Sequence, residues 1–406
     1  MAQDTSLESI LTSLQVPSDF VRLESIQEDQ PSTQDELNQW KEQTYDTLLK
    51  LQSDTEGRLS GLNLRVQADI VTALAAFDGT EDPWITSDSR EAAQVILDKF
   101  KQVDNDSEKN TPLLRQLLVG NIKPWFQSNP HPYIHVDTGR KLGRAAGGPL
   151  ASGDYYEAQT WKKYPGAANV VSWCVRNMKA EVYEELWHLI IPAVMALLDD
   201  YEARNKLRGV KIVAELLVYV PKGLLKRTGI DGLLHTSLNT CLAHLNNPES
   251  ADLIRATVPT HISLIELTTA PGSKERFDKL SHLLGEGIIG GVWFYASEDR
   301  DTVMASLESL LLVVEAIGIG STRFLKGLMT KLVHLLMPNP LNPTPGSEDL
   351  QIAALRVLIK LIDKCASRMQ YWSGPIIDGV CRCWVSRRKL DDVGERTGPS
   401  PKYSRG

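Results

Sequence analysis

The chain has 406 residues, of which 42% are hydrophobic and 23% are charged. This composition is that of a soluble globular protein with a large core, and it excludes an intrinsically disordered chain. Asp and Glu outnumber Lys and Arg by 51 to 44, and the net charge of −7 argues against a broad phosphate-binding surface for nucleic acid.

The cysteine content and the apolar stretches indicate in which cellular compartment the protein resides. Five cysteines in so long a chain do not make a disulfide framework, and the odd number favours reduced thiols in the cytoplasm and nucleus. The N-terminal residues lack the basic segment and apolar core of a secretory signal. The longest apolar stretch, residues 186–198, is too short to cross a bilayer. We therefore expect a cytoplasmic and nuclear protein that does not interact with membranes.

Residues 1–129 are predicted to form an N-terminal helical region. Apolar residues recur every three or four positions, the spacing that places them on one face of a helix, and strand-like alternation is almost absent. The predicted helices cover approximately residues 4–15, 33–55, 60–78, 88–103 and 110–128.

Residues 130–166 interrupt this helical pattern. The segment is rich in Gly and Pro, so it is predicted to be one long loop without a regular helix, of the kind that is functional or mobile. Because Arg140, Lys141 and Arg144 alternate with glycines, we expect the loop to become ordered when a partner binds.

Residues 167–390 are predicted to form HEAT-like repeats. Four segments share a polar or acidic lead-in and an amphipathic helix, and they begin at Leu207, Leu253, Val303 and Ile352. Successive starts lie 46, 50 and 49 residues apart, and such a period with two helices per unit is typical of HEAT or armadillo repeats. The sequence therefore predicts an all-α fold, an α-solenoid of HEAT-like helical repeats, followed by a polar, disordered tail at 391–406.

A glycine-rich string raises the question of nucleotide binding. Residues 285–292 read GEGIIGGV and match the G-x-G-x-x-G-x-V pattern of a kinase phosphate loop. Such a loop follows a strand, whereas residues 277–284 carry apolar side chains at helical spacing, and no downstream kinase motif follows. We therefore interpret the string as a helix C-cap, with its first two glycines at positive φ and its last two packed under the aromatic residues that follow.

Residues 197–217 carry a distinctive charge pattern. Acidic residues precede basic ones across a predicted helix N-terminus, where carboxylates favour the helix dipole: Asp199 and Asp200 come before Lys206 and Arg208. Two interpretations are open, namely a ladder of Asp-to-Arg pairs between successive repeats and a contact with a partner. Gly209, inside this helix, costs about 1 kcal/mol relative to Ala, which predicts that a neighbour packs closely against it.

Enzymatic patterns are absent from the sequence. It contains no G-x-S-x-G nucleophile elbow, no H-E-x-x-H motif and no P-loop. Cys381 and Cys383 are separated by one residue, which is not the ligand spacing of a zinc site. We therefore predict a protein that is not an enzyme, with no catalytic residue, no cofactor and no metal.

One part of the chain resembles a known family. Residues 161–178 and 185–234 are similar to the second Tel-two-interacting protein family, the smallest subunit of the Triple T (TTT) complex. The matching features are Trp161, Trp173 with Cys174, the block from Pro192 to Tyr201, the string from Lys206 to Gly209, and Arg227 to Gly229. The strings at 138–142 and 153–166 resemble the fungal branch of that family.

The resemblance implies a non-enzymatic scaffold. Such proteins bind the first Tel-two-interacting protein, itself a long HEAT array, and through it the Tel-two subunit. The complex works with the ninety-kilodalton heat-shock chaperone and its adaptors to mature phosphatidylinositol-3-kinase-related kinases, which links it to TOR signalling, the DNA-damage response and telomere maintenance. A generic HEAT-repeat adaptor of a transport or phosphatase complex would share the architecture and is the alternative.

Aromatic residues in the C-terminal half are candidates for the partner surface, because aromatic side chains dominate interface energetics. We predict that Trp293, Phe294 and Tyr295, the repeat at 303–337 and Trp372 contribute to it. The alternative is that these aromatic side chains belong to the core of the helical array.

Overall fold

The computed structural model describes residues 2–22, 31–55, 58–101, 107–128, 130–147, 155, 159–337 and 347–396. These residues are predominantly helical, and the β-bridge recorded among them joins Ile134 to Lys141. The predicted all-α class is confirmed. The chain forms two compact units, Met1–Ser237 and Leu238–Gly406.

Helices of the first unit follow the predicted pattern. They include α1 (Ala2–Ser13), α2 (Pro31–Thr55), α3 (Leu64–Ala75), α4 (Ser87–Lys101), α5 (Ser107–Leu117), α6 (Lys123–Phe126), α7 (Ala167–Asn177), α8 (Ala180–Leu198), α9 (Ala203–Tyr219) and α10 (Lys222–Thr228). The last helix predicted before the loop is divided by a π turn, Leu118–Ile122. The turn lies just before Pro124, which has no N–H to donate to a regular helical hydrogen bond.

Helices of the first unit that are two apart in the chain lie side by side. Helix α2 packs on α4, α3 packs on α5, and α7 packs on α9. The buried faces follow the three-and-four spacing of the sequence, as in α3, where Ile70, Val71 and Leu74 are fully buried. Each helix therefore buries its apolar stripe on its neighbours.

The boundary between the units lies within α11 (Ile230–Cys241) and differs from the predicted division at 166/167. Helix α3 contacts α7, so the N-terminal helices and the first helices after the loop share one core. Periodicity cannot predict this arrangement, because it identifies the apolar face of a helix and not the helix that covers it.

The second unit contains three of the predicted repeats. Its helices include α12 (Ser250–Thr268), α13 (Lys274–His282), α14 (Trp293–Tyr295), α15 (Arg300–Ile317), α16 (Leu325–Leu336), α17 (Ser347–Met369) and α18 (Ser373–Arg396). The predicted starts at 253, 303 and 352 fall near the N-termini of α12, α15 and α17, and the start at 207 falls near that of α9. Helix α12 packs on α15, α15 on α17, and α16 on α18, which is the side-by-side stacking of HEAT-like helix pairs.

Residues 300–336 are long and apolar enough to meet the criterion for a membrane-spanning segment by length and composition. In the structure they form α15, a 3₁₀ segment (Gly318–Phe324) and α16. Their apolar side chains, including Leu310, Val314 and Leu332, lie in the core of the second unit. This segment therefore packs as two core helices of a repeat.

The end of the described chain is more helical than its composition indicates. Helix α18 continues through Arg396, six residues into the segment predicted to be a polar tail. Lys389 and Leu390 are good helix formers, and the change to polar sequence at Asp391 does not end the helix. Residues 397–406 of the predicted tail lie outside the described residues.

Candidate functional site

The family-like block surrounds the turn between α8 and α9. Asp200 is buried there, and its Oδ1 accepts hydrogen bonds from the Glu202 N–H at 2.9 Å and from Asn205 Nδ2 at 3.2 Å. The Lys206 ammonium, also buried, donates to the Leu198 carbonyl at 2.9 Å. These bonds satisfy the backbone and the carboxylate at the junction of two helices, so they stabilise its geometry.

Lys162 connects this turn to the segment before α7. Its Nζ lies 2.8 Å from Asp200 Oδ2 and 3.1 Å from Glu202 Oε1, and 4.0 Å from the centre of the Tyr201 ring. Burial lowers the pKa of Lys162, but the carboxylates of Asp200 and Glu202 raise it more, so the pKa is raised and the ammonium stays charged. Tyr201 covers this pair with its ring and remains largely exposed.

Gly209 lies at a close approach of α8 and α9. A Cβ at this position would lie 2.4 Å from the Leu198 nitrogen and 2.5 Å from the Leu198 Cα. Only glycine fits against the backbone of the neighbouring helix at that distance. The predicted close packing at Gly209 is therefore confirmed.

Arg208, which is partly buried, forms an ion pair with the buried Asp82, which lies in the segment between α3 and α4. Asp82 also accepts a hydrogen bond from Asn169 Nδ2 at 2.8 Å. Asp199 contacts His131 instead, with 3.0 Å between Oδ2 and Nε2. Arg208 thus pairs with an aspartate that is distant in sequence and outside the block, and Asp199 contacts a histidine of the preceding loop.

The loop predicted at 130–166 is packed against helices over its described N-terminal half. The Trp187 indole N–H donates to the Gly139 carbonyl at 3.1 Å, and the Lys141 N–H donates to the Thr228 carbonyl at 2.8 Å. The Tyr133 N–H donates to His131 Nδ1 at 3.2 Å, so His131 carries its proton on Nε2 and donates it to Asp199. Residues 130–147 thus contact α8 and α10 of the first unit.

The two tryptophans of the family-like block are internal. Trp161 stacks on Phe126 with ring centroids 5.7 Å apart, and Trp173 is fully buried in α7. Their side chains, like those of Asp200 and Lys206, serve the core of the first unit. Among the block's candidate residues, Tyr201 is the one whose ring is exposed.

The aromatic triplet of the second unit is divided between core and surface. Trp293 is buried, and its indole N–H donates to Ser306 Oγ at 2.8 Å. Phe294 and Tyr295 are 73% and 70% exposed, and their rings pack edge to face with centroids 4.9 Å apart. The two predicted roles of this triplet are therefore both present, core for the first residue and surface for the next two.

The glycine-rich string 285–292 lies within a π-helix, Leu283–Val292, that continues directly from α13. The predicted C-cap is wrong, since neither of its first two glycines has positive φ. A Cβ at Gly285 would lie 2.9 Å from the Phe324 ring, and one at Gly291 would lie 3.0 Å from the Glu286 carbonyl oxygen. The glycines therefore permit close packing within and beside a wide helix, and no strand precedes them as a phosphate loop requires.

Exposed apolar stripes on α17 and α18 were not predicted from the sequence. Ile352, Ile359 and Ile362 lie at helical spacing on α17, and Ile359 is 67% exposed. Ile377, Val380 and Trp384 form a similar stripe on α18, and Trp384 is 61% exposed. The periodicity of these residues is visible in the sequence, but it does not distinguish a covered stripe from an open one.

Metal-ligating and nucleophilic groups are dispersed in the part of the chain that the structure describes. Within these residues, no three His, Cys, Asp or Glu side chains are grouped as a metal site requires. Burial raises the pKa of the Cys174 and Cys365 thiols, which disfavours the thiolate form.

The stacked helix pairs of the fold define a HEAT-like helical-repeat protein. A chain in the solved complex of Kap95p with RanGDP matches it with a TM-score of 0.51 and 13% identity, over 84% of this chain and 37% of that chain. At this identity the likeness concerns the fold alone.

The sequence model of the Tti2 family matches residues 70–344, and the chain belongs to that family. Human TELO2-interacting protein 2 is 26% identical over 208 residues, which are 51% of this chain and 34% of that protein. The mouse protein of the same name is 32% identical over 92 residues, 22% of this chain and 17% of that protein. The alignments therefore cover about a third or less of the length of these relatives.

Proposed function

We propose that this chain is a non-enzymatic scaffold subunit of the TTT co-chaperone complex. It binds the first Tel-two-interacting protein directly and the Tel-two subunit through it. In the cytoplasm and nucleus it supports the maturation of phosphatidylinositol-3-kinase-related kinases by the ninety-kilodalton heat-shock chaperone and its adaptors. The observation that carries the proposal is the match to the Tti2 family over residues 70–344, and the human relative is named TELO2-interacting protein 2.

The exposed stripes of α17 and α18 support a helical-repeat partner. In stacked repeats, such apolar stripes are covered by the next helix pair. Isolated exposed apolar residues are ordinary, but exposed apolar residues that recur at helical spacing on two consecutive repeat helices are typical of an interaction surface. The first Tel-two-interacting protein, as a long HEAT array, supplies helices of the kind that would cover them.

Affinity purification of the tagged chain from its own cells, with mass spectrometry, tests the proposal. We expect to recover the two larger TTT subunits, with kinases and chaperone adaptors in smaller amounts. Recovery of neither subunit from soluble, folded material would contradict the proposal. Recovery of transport or phosphatase subunits in their place would identify a generic HEAT adaptor.

Substitutions in the exposed stripes test whether α17 and α18 contact the larger subunits. Ile359→Asp combined with Trp384→Asp should lower recovery of the larger subunits by about tenfold or more, because a charge in an apolar interface must be desolvated. Val218→Asp is the matched control, since Val218 is 66% exposed on α9 of the first unit. Equal loss with both variants would argue against the α17 and α18 stripes, and circular dichroism verifies that each variant is folded.

A further inference from the structure

An open groove of about 480 Å³ lies between the π-helix with α14 on one side and α16 on the other. Its lining combines apolar and basic side chains, chiefly Ile289, Trp293, Phe294, Lys326, Lys331 and His334. All of these residues belong to the second unit.

The apolar part of the groove has a defined shape. Ile289 and the buried Trp293 line its inner surface, and Phe294 stands at its edge with most of its ring exposed. A Cβ at Gly327 would lie 3.3 Å from Ile289 Cγ2, so the glycine keeps the two helices close at the groove's base. Apolar side chains therefore line one side of an open groove.

The basic part of the groove comes from one helix. Lys326, Lys331 and His334 all project from α16 toward the same groove. The structure records no ion pair for either lysine among the described residues, whereas Lys360 and Lys364 on α17 both pair with Glu315. Burial lowers the pKa of Lys331, opposed by the charge of Glu298, so this ammonium is held in partly desolvated surroundings. An incoming carboxylate would gain more there than at a fully solvated lysine.

We propose that this groove binds an acidic amphipathic helix of a partner protein, with an apolar side chain between Ile289 and Phe294 and carboxylates facing Lys326 and Lys331. A helix in a groove is recognised by apolar residues three and four positions apart, and α16 is itself long enough to align with about three turns of a ligand helix. The charge complementarity selects an acidic ligand over a basic one. The inference deepens the proposed function and rests on it, since the ligand helix belongs to a bound partner.

Photo-crosslinking in cells tests the occupant. Thr330, which is exposed and lines the groove, is replaced by p-benzoylphenylalanine in the full chain, and the crosslinked peptide is identified by mass spectrometry. We expect a protein segment with net negative charge and apolar residues at helical spacing. The same probe at Val218, outside the groove, should not capture that segment.

Other products overturn the proposal. A crosslink to lipid would identify a membrane surface, and a crosslink to this same chain would identify self-association. A neutral or basic segment, or no crosslink at all, would also contradict it. Because crosslinking precedes purification, capture of an acidic helix without the TTT subunits would contradict the proposed function and leave the groove proposal standing.

Charge reversal gives a second, independent readout. Lys326→Glu combined with Lys331→Glu should lower the crosslinking yield by about tenfold, because like charges then face each other across the interface. Changing the carboxylates of the identified segment to Lys should restore the yield to the double variant. Lys222→Glu, at an exposed lysine of the first unit, is the matched control and should leave the yield unchanged. Failure of the restoration would show that the lysines act through structure and not through charge.

Discussion

Gly209 and Gly223 lie in neighbouring helices of the first unit but face different surroundings. A Cβ at Gly209 would overlap the backbone of Leu198, whereas a Cβ at Gly223 would meet nothing within 4 Å. The two positions therefore separate the effect of packing from the effect of helix propensity.

Gly209→Ala should lower the free energy of unfolding of the first unit by about 1–3 kcal/mol, because the neighbouring helix has to move. Gly223→Ala should be neutral or stabilising by up to about 1 kcal/mol, since Ala favours helix. Urea denaturation followed by circular dichroism measures both. Equal effects of the two substitutions would refute the close approach of α8 and α9.

Arg208 and Lys211 of α9 both form ion pairs with the segment between α3 and α4, but the carboxylate is buried in one pair and exposed in the other. Arg208 pairs with the buried Asp82, and Lys211 pairs with Glu81 at the surface. Arg208→Ala should cost about 3–5 kcal/mol, because it leaves a buried carboxylate without its cation. Lys211→Ala should cost less than about 1 kcal/mol, since solvent screens the exposed pair. Thermal denaturation of the two variants tests the difference, and a small effect of Arg208→Ala would contradict it.

At the residue scale, the sequence predicts local constraints better than partners. The helical position of Gly209 was enough to predict that something packs against it. The partner of Arg208 lies 126 residues away, and no periodicity connects the two positions. Burial of Trp161 and exposure of Phe294 are likewise set by neighbouring helices, so the sequence alone could not assign them.

At the scale of elements, Gly139 is where the loop at 130–147 packs most tightly on α8 among the glycines described there. Gly139 has a φ of 61°, and a Cβ there would lie 2.9 Å from the Trp187 ring and 3.1 Å from the His188 Cα. Gly143, four residues later, has open space at the same position and lacks positive φ.

Gly139→Ala should loosen the loop from α8, because the substitution is both strained and crowded. We expect faster trypsin cleavage after Arg140, Lys141 and Arg144. Gly143→Ala should leave the cleavage rate unchanged. If both variants resist trypsin like the parent chain, the packing of Gly139 does not hold the loop.

Helices α15 and α17 are linked at the surface by the Arg300–Asp349 pair and by Glu315, which pairs with Lys360 and Lys364. Hydrogen bonds from Lys360 and Lys364 hold the pKa of Glu315 down at about 2, below the ordinary value of about 4.3. A depressed carboxyl pKa contributes stability above the ordinary value, and that contribution is lost as the pH falls toward about 2.

Carboxyl titration by nuclear magnetic resonance should find Glu315 ionised at pH values where other exposed glutamates are half protonated. High salt should move its midpoint upward, because an exposed pair is screened. Lys360→Met combined with Lys364→Met should return it to the ordinary value. An ordinary midpoint for Glu315 in the parent chain at low salt would contradict its pairing with Lys360 and Lys364.

At the scale of the molecule, the chain forms two compact units, and the second has a core cluster of its own residues. Leu310 is fully buried in the second unit, as Gly209 is closely packed in the first. In repeat proteins each helix pair depends mainly on its neighbours, so damage is expected to remain local.

Hydrogen exchange tests this independence. Leu310→Ala should raise exchange in α12, α15 and α17, and Gly209→Ala should raise it in α8 and α9. Neither variant should change exchange in the core of the other unit. Faster exchange throughout the chain with either substitution would show a single cooperative core.

The class of fold followed from the sequence because it depends on periodicity alone. The repeat starts at 207, 253, 303 and 352 all fall in helices of the predicted kind. Two other features depend on which helices pack together, namely the division at 237/238 and the exposed apolar stripes on α17 and α18. Local sequence does not specify the packing partner of a helix, so neither feature could be predicted. The wide helix at 283–292 was also missed, because its glycines match both a cap and a π-helix.

The π-helix Leu283–Val292 makes the positions of the residues after it sensitive to the number of residues that it contains. The Trp293 N–H donates to the Ile288 carbonyl five residues earlier, where a regular helix would use the residue four earlier. Loss of one glycine would permit an ordinary helix, but it would turn every following side chain by about 100° about the axis. Trp293 would then leave the core and Phe294 would leave the groove. In relatives that keep Trp293 in the core and Phe294 in the groove, we therefore expect the number of residues between 283 and 292 to be constant. Residue types in this segment should vary more readily than its length.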